Sequence, residues 1–289
     1  SSPAALLEKL IAYEAVHAIE GWDDLKNRLD SDRRCFAYFH PRMPDEPLIF
    51  VEVALVNGIA GNVQALLDAN APVIDPDQAD TAIFYSISNA QKGLAGISFG
   101  NFLIKGVVSQ LKDEFDNLKT FSTLSPVPGF RRWLDKLISE GAPKILKPNE
   151  RKALQAAAGK GKGSKGLLRD MMNMPHWHHD DEISEALRAP LMRLCARYLT
   201  EEKRGGEGAL DPVANFHLSN GASVERINWL GDTAPKGFDQ AAGMMVNYLY
   251  HLSKIEDNHE NYHSKGVVNA SSGVRGLIID AGVRDTADL

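Results

Sequence analysis

The stretch TAIFYSISNAQKGLAGISFGNFLIKGVV, residues 81–108, decides how the whole chain is read. Its first eight residues are rich in β-branched and aromatic side chains, the composition of a buried strand. Small residues follow at Gly93, Ala95, Gly96, Ser98 and Gly100. From Phe102 to about Phe115 the apolar residues Ile104, Val107, Val108, Leu111 and Phe115 recur at helical spacing. Residues 118–127, LKTFSTLSPV, then return as a second strand. The unit is βαβ, which predicts parallel strands joined by a right-handed crossover. A turn between strand and helix leaves unpaired N–H groups at the helix N-terminus, where the helix dipole favours an anion. The pattern matches neither a P-loop nor a dinucleotide fingerprint. The small residues therefore read either as a phosphate cradle or as a tight turn whose glycines serve packing.

Downstream, LSPVPGF carries Pro126 and Pro128, which remove backbone donors and force the strand away from its neighbour. A gap between the two parallel strands is expected, with Ser125 at its mouth and Ser122 earlier on the strand. Either hydroxyl has a capping or turn role as its plain alternative.

Upstream, CFAYFHP and PLIFVEVALV are β-rich runs separated by PRMPDEP, a hairpin pattern. Residues 3–29 hold two amphipathic helical pieces, AALLEKLIAYEAVHAI and WDDLKNRL, and GNVQALLDA reads as a short helix. Beyond Phe130 the pattern predicts a helix to Ile138 and a helix end running into the basic loop GKGKGSKG, with a long helix from Glu182 to about Arg204. PVANFHLSNGASVERINWL reads as two strands turning at Asn220-Gly221. That places His217 on a strand, its ring opposite Phe216 and Leu218, as a structural residue or as a group that titrates near neutrality. FDQAAGMMVNYLYHL reads as a closing helix bearing Asn247, Tyr248 and Tyr250.

The cluster HWHHDDE, His176 to Glu182, is too compact in sequence for metal coordination and suits helix capping by Asp180, so no metal site is expected. With 289 residues, 44% hydrophobic, and a formal charge of −6, the chain is long enough for a full core and does not carry the basic excess of a nucleic-acid binder. No apolar run approaches a membrane span. Cys35 and Cys195 sit in apolar runs, as free thiols of a reducing compartment do. The end RDTADL has no peroxisomal signal, and a cytoplasmic location is expected.

The order of elements resembles the GCN5-related N-acetyltransferase fold: an α/β architecture with a mixed sheet, splayed parallel strands and flanking helices. In that family the glycine turn binds coenzyme A pyrophosphate and the splay holds the pantetheine arm. The family's Q/R-x-x-G-x-G/A, started at Gln91, is met at Gly96 but has Leu94 at the first glycine. A closer resemblance rests on YEAVH, RRCFAYFHPRMPDEPL, TAIFYSISNAQKGLAGISFGNFLIK, FSTLSPVPGF, APLMRLCARYL, DPVANFHLSNGA, RINWLGD and MMVNYLY, in order from about Tyr13 to about Tyr250. These segments are similar to the malonyl-CoA decarboxylase family, whose catalytic domain is a diverged acetyltransferase fold.

The resemblance implies that residues 1–29 are the end of an N-terminal helical domain and residues 30–289 the acyl-CoA-binding catalytic domain. It implies catalytic Ser125 and His217, a coenzyme A loop at Ala95, Gly96, Ile97, Ser98, Phe99, Gly100 and Asn101, and Ser86 near the acyl group. Asn247 and Tyr250 are candidate pocket residues. Ser98 stands where some relatives have an acidic residue, so a role for that carboxylate does not transfer. The implied reaction converts malonyl-CoA to acetyl-CoA and CO2 with no cofactor beyond the coenzyme A of the substrate, in a homo-oligomer, dimer or tetramer, away from membranes and nucleic acid. An acyl-CoA-dependent N-acetyltransferase and a non-catalytic malonyl-CoA sensor are the alternatives.

Overall fold

The computed structural model describes residues 4–91, 100–143, 145–159, 166–206 and 208–279. Two helices, α1 (Ala4–Tyr13) and α2 (Trp22–Asn27), lead into the strands β1 (Arg33–His40) and β2 (Met43–Val56). A short α3 (Val63–Leu66) precedes β3 (Thr81–Asn89), and the crossover helix α4 (Gly100–Glu114) returns to β4 (Thr120–Thr123) and β5 (Ser125–Pro126). Helices α5 (Phe130–Ser139), α6 (Pro148–Ala157), α7 (Leu167–Met172) and α8 (Asp181–Thr200) follow. A two-stranded ribbon pairs β6 (Lys203–Arg204) with β7 (Gly208–Ala209). The chain then runs through α9 (Pro212–Ser219), β8 (Ser223–Asn228), α10 (Pro235–Ala241), β9 (Met245–Leu249), α11 (Ile255–Lys265) and α12 (Ser272–Ile278).

The main sheet is mixed. β1 pairs β2 antiparallel, β2 pairs β3 antiparallel, and β3 pairs β4 in parallel, as the βαβ reading requires. The β4–β5 strand lies along β9, which is flanked on its other side by β8. Alternation along β2 sends Val51, Val53 and Leu55 into the major core with the α4 residues Ile104, Val107 and Leu111 and the α8 residues Leu187, Leu191 and Leu194. The opposite face of the sheet carries Phe50 against Leu10, Ile19 and Leu25, and Ala54 and Ile83 against Val63 and Leu66 of α3. The sheet is thus sandwiched between helices, the mixed α/β arrangement expected from the sequence.

Two segments depart from their predicted form. Residues 212–219 are helical, not a strand. Asp211 caps them by accepting from the N–H groups of Val213 and Ala214, Pro212 fills the first turn, and the buried residues Ala214, His217 and Leu218 fall at helical spacing. Asn220-Gly221 ends this helix: Asn220 is its C-cap and Gly221 has φ 83°, the left-handed geometry that stops helices as readily as it turns hairpins. A Cβ on Gly221 would also collide with the Ile255 carbonyl oxygen.

The second departure is residues 238–250, where the predicted helix stops at Ala241 and β9 takes over. Ala242 and Gly243 both have positive φ, which breaks the helix. Met245 to Tyr248 are all buried, and a strand covered on both faces has no alternating pattern to distinguish it from a helix. The long helix also ends at Thr200, because Lys203 and Arg204 are taken into the small ribbon. Ordered structure extends past this segment into α11 and α12, beyond the predicted close of the ordered part.

Candidate active site

The parallel pairing of β3 with β4 ends at Phe84↔Thr123, and the Leu124 N–H donates to the Phe84 carbonyl at 3.0 Å. Past that point β5 stays with β9 through Ser125↔Val246, while β3 continues to Asn89 paired only with β2. Pro126 and Pro128 have no N–H with which to rejoin β3. The splay expected from the prolines is therefore present, and a cavity of about 220 Å³ opens into it. A space of that size holds several waters.

β3 lines this cavity with Phe84, Tyr85, Ser86, Ile87 and Asn89, and β5 with Ser125 and Pro126. Helix α9 adds Pro212, Val213, Phe216 and His217, and Val16 comes from the link between α1 and α2. Positions 213, 216 and 217 share one helical face, so the Asp211 cap that starts α9 also aims His217 into the splay.

Ser125 and His217 meet there, Ser125 Oγ lying 3.2 Å from His217 Nε2. On its far side His217 Nδ1 is 2.8 Å from the Tyr250 hydroxyl, and the ring stacks on Tyr248 with 4.6 Å between centroids. Ser125 Oγ donates to Thr123 Oγ1 at 2.8 Å, and Thr123 Oγ1 also accepts the Tyr248 N–H at 3.1 Å. All of these residues are buried. Burial pushes the His217 pKa down to about 3, so the imidazole is neutral near pH 7, and it lifts the Tyr250 phenol well above its ordinary value.

One carboxylate anchors both sides of the pair. Asp211 accepts from Val213 and Ala214 in its capping role, and its other oxygen accepts the Gly129 N–H at 3.2 Å and the Tyr198 hydroxyl at 3.3 Å. Gly129 starts α5, four residues after Ser125. A Cβ there would collide with the Tyr198 hydroxyl, which explains a glycine at a position whose φ, −96°, any residue could adopt. Burial is the main influence on Asp211 and raises its pKa, against the lowering effect of its hydrogen bonds.

Ser86 sits on the opposite wall and donates to the carboxylate of Glu14, with contacts of 2.8 and 2.7 Å to the two oxygens. Glu14 also accepts the N–H groups of Val16 and His17 and the Ser88 hydroxyl. Lys236 donates to the carbonyls of Ala15 and Val16. The segment that carries Val16 is thus held against the cavity from two sides. Neither Glu14 nor Thr123 stands out in the sequence, since a lone glutamate after a helix and a threonine inside a strand fit no spacing rule.

Other predicted residues lie elsewhere. Asn247 is fully buried behind the splay, its amide donating to the carbonyls of Thr123 and Ala60, and it is not on the cavity wall. Tyr250 follows β9 rather than lying on a helix, and reaches the site only through His217. Ser122 donates to the Tyr248 carbonyl at 3.1 Å, a sheet contact. Ala95, Gly96, Ile97, Ser98 and Phe99 fall outside the described residues, and Gly100 and Asn101 are placed only as the first residues of α4. Asp180 accepts from the Glu182 and Ile183 N–H groups, the capping role predicted for the His176–Glu182 cluster. Among the described residues no group of three potential ligands could hold a metal ion, and no helix is long and apolar enough to cross a membrane.

Residues 1–287 match the family model described as the malonyl-CoA decarboxylase C-terminal domain. The chain is 40% identical over 284 residues to a goose (Anser anser anser) protein named mitochondrial malonyl-CoA decarboxylase, covering 96% of this chain and 56% of that one. The mouse (Mus musculus) protein of the same name is 39% identical, at 96% and 57% coverage. Crystal structures of malonyl-CoA decarboxylase from Agrobacterium vitis and Rhodopseudomonas palustris superpose with TM-scores of 0.87 and 0.85, each at 47% identity. They cover 97% and 95% of this chain and 65% and 64% of those chains. The chain therefore spans a little over half the length of its curated relatives. A family match across nearly every residue, joined to superpositions that cover at least 95% of this chain, makes this chain a member of the malonyl-CoA decarboxylase family, corresponding to its C-terminal domain.

Proposed function

We propose that this chain decarboxylates malonyl-CoA to acetyl-CoA and CO2, with Ser125 and His217 as its catalytic pair. The observation that carries the reading is the buried, neutral Ser125–His217 pair at the mouth of the splay. In the reaction the bond between C2 and the carboxylate breaks, its electron pair moves into the thioester carbonyl to give an enolate, and C2 is then protonated. The thioester is itself the electron sink, so the chemistry calls for no metal or organic cofactor. What the protein must supply is orientation of the carboxylate out of the carbonyl plane, donors for the enolate oxygen, and a proton for C2.

Ser125 orients the carboxylate, backbone N–H groups along the splay receive the enolate oxygen, and His217 delivers or relays the proton. Ser86 faces the acyl group from the other wall. The loop from Ala95 to Asn101, entering α4, holds the coenzyme A pyrophosphate at a helix N-terminus. Residues 1–29 are the tail of a helical domain docked on the catalytic one, a division supported by the separate apolar cluster of Leu10, Ile19 and Leu25 on Phe50. The working form is a homo-oligomer in the cytoplasm, and the two free thiols are consistent with a reducing compartment.

The test is to incubate the chain with malonyl-CoA alone and follow the products by mass spectrometry. Acetyl-CoA forming without any acceptor is the expected result. Intact malonyl-CoA that stays bound would instead identify a sensor, and turnover only on addition of an amine would identify an acyltransferase.

A further inference from the structure

We infer that Thr123 is a positioning residue for Ser125: it takes the Ser125 proton and thereby makes His217 the donor in the Ser125–His217 hydrogen bond. The kinetic part of this inference rests on the decarboxylase reading, and the hydrogen-bond direction rests on geometry alone.

A serine hydroxyl has one proton and two lone pairs. The Ser125 proton goes to Thr123 Oγ1 at 2.8 Å, and Thr123 is itself held by the Tyr248 N–H at 3.1 Å, a backbone donor of β9 that cannot turn away. Only lone pairs then remain on Ser125 Oγ for the 3.2 Å contact with His217 Nε2, so that nitrogen carries the ring proton. A neutral imidazole has a single N–H, which makes Nδ1 an acceptor for the Tyr250 hydroxyl at 2.8 Å. The hydrogen bonds run one way, from Tyr250 to His217 to Ser125 to Thr123.

This direction is opposite to that of an acyl-transfer site, where the serine gives its proton to histidine and becomes a nucleophile. Here the resting imidazole offers an N–H toward the splay, and Ser125 is not primed to attack the thioester. The arrangement suits protonation of an enolate and disfavours an acyl-serine intermediate. Replacing Thr123 by an isosteric residue without the hydroxyl frees the Ser125 proton to turn toward His217 and reverses the chain.

The experiment combines ring 15N shifts of His217 with kinetics for wild type, Thr123→Val and Thr123→Ser. The wild-type spectrum is expected to report protonated Nε2. T123V is expected to move the tautomer toward Nδ1–H and to lower kcat about 10–100-fold, with KM within about twofold, as misplacement of a reacting group does. T123S, which keeps the acceptor, restores both. An Nδ1–H tautomer in wild type overturns the inference, as does a T123V enzyme with unchanged kcat or a T123S enzyme as impaired as T123V. Should T123V fail to fold, the wild-type tautomer and T123S still decide. A wild-type chain that releases no acetyl-CoA removes the decarboxylase reading instead, and leaves the spectroscopic test standing.

Discussion

Ser125 sits where β5 parts from β3, and His217 is the only histidine or carboxylic acid among the described residues that line the cavity. On the proposed reading, losing Ser125 removes the group that orients the carboxylate, and losing His217 removes the proton source. Ser125→Ala and His217→Asn are each expected to slow acetyl-CoA release by about 10²–10³-fold. Near-normal turnover in both variants would remove them from the chemistry. Ser125 was legible because Pro126 and Pro128 announce a splay and leave one polar residue at its mouth. His217 was legible as chemistry but not as geometry, since its ring reaches Ser125 from a helix. Thr123 and Glu14 were invisible for a physical reason: their importance lies in contacts with residues up to 125 positions away in sequence, which no local pattern encodes.

At the scale of elements, α9 and the start of α5 are fixed by the same buried carboxylate. Asp211→Ala leaves four donors without their acceptor, two at a helix N-terminus and two in the core. A loss of roughly 3 kcal/mol or more is expected from urea unfolding. A loss under about 1 kcal/mol would show that water or neighbours replace Asp211. The βαβ unit and the β1–β2 hairpin were readable because each carries its own period and turn chemistry. The α9 and β9 segments were not, because two signals have double meanings: an Asn-Gly pair closes a helix as well as a hairpin, and a strand buried on both faces has no period of two. Asp211-Pro212 was the overlooked mark of a helix start.

Across the whole molecule, two histidines, His217 and His17, and two carboxyls, Glu52 and Asp211, give stability opposing pH slopes. Burial pushes His217 and His17 down to about 3 and about 4 from an ordinary 6.5. Each takes up a proton more readily when unfolded, so the stability it contributes is complete above pH 6.5 and is lost as pH falls toward 4 and 3. Glu52 moves the other way. Burial, aided by the charge of Glu14 and opposed by Arg28, raises it from 4.5 to about 7. Its contribution is complete below pH 4.5 and is lost as pH rises through 7. Asp211, also raised by burial, adds to the Glu52 side at the acid end, so the two histidine protons leave their net rise in stability toward pH 6.5, at up to about 1.4 kcal/mol per pH unit. Glu52→Gln should steepen that rise and His217→Asn should flatten it, read as the pH dependence of ΔG from urea titrations. A profile unchanged by both substitutions would contradict the assignment.

The clasp on the Val16 segment sets an order in time. Glu14 receives the Ser86 hydroxyl, 72 residues along the chain, and Lys236 reaches back 221 residues to the Ala15 carbonyl. During synthesis Ser86 becomes available 150 residues before Lys236, which leaves the ribosome only after β1 to β5 and β8 have been made. One wall of the cavity therefore gains its second fastening late, and β9, on which β5 is paired, follows later still, so a nascent chain carries the residues of both splay strands before it can hold a closed site.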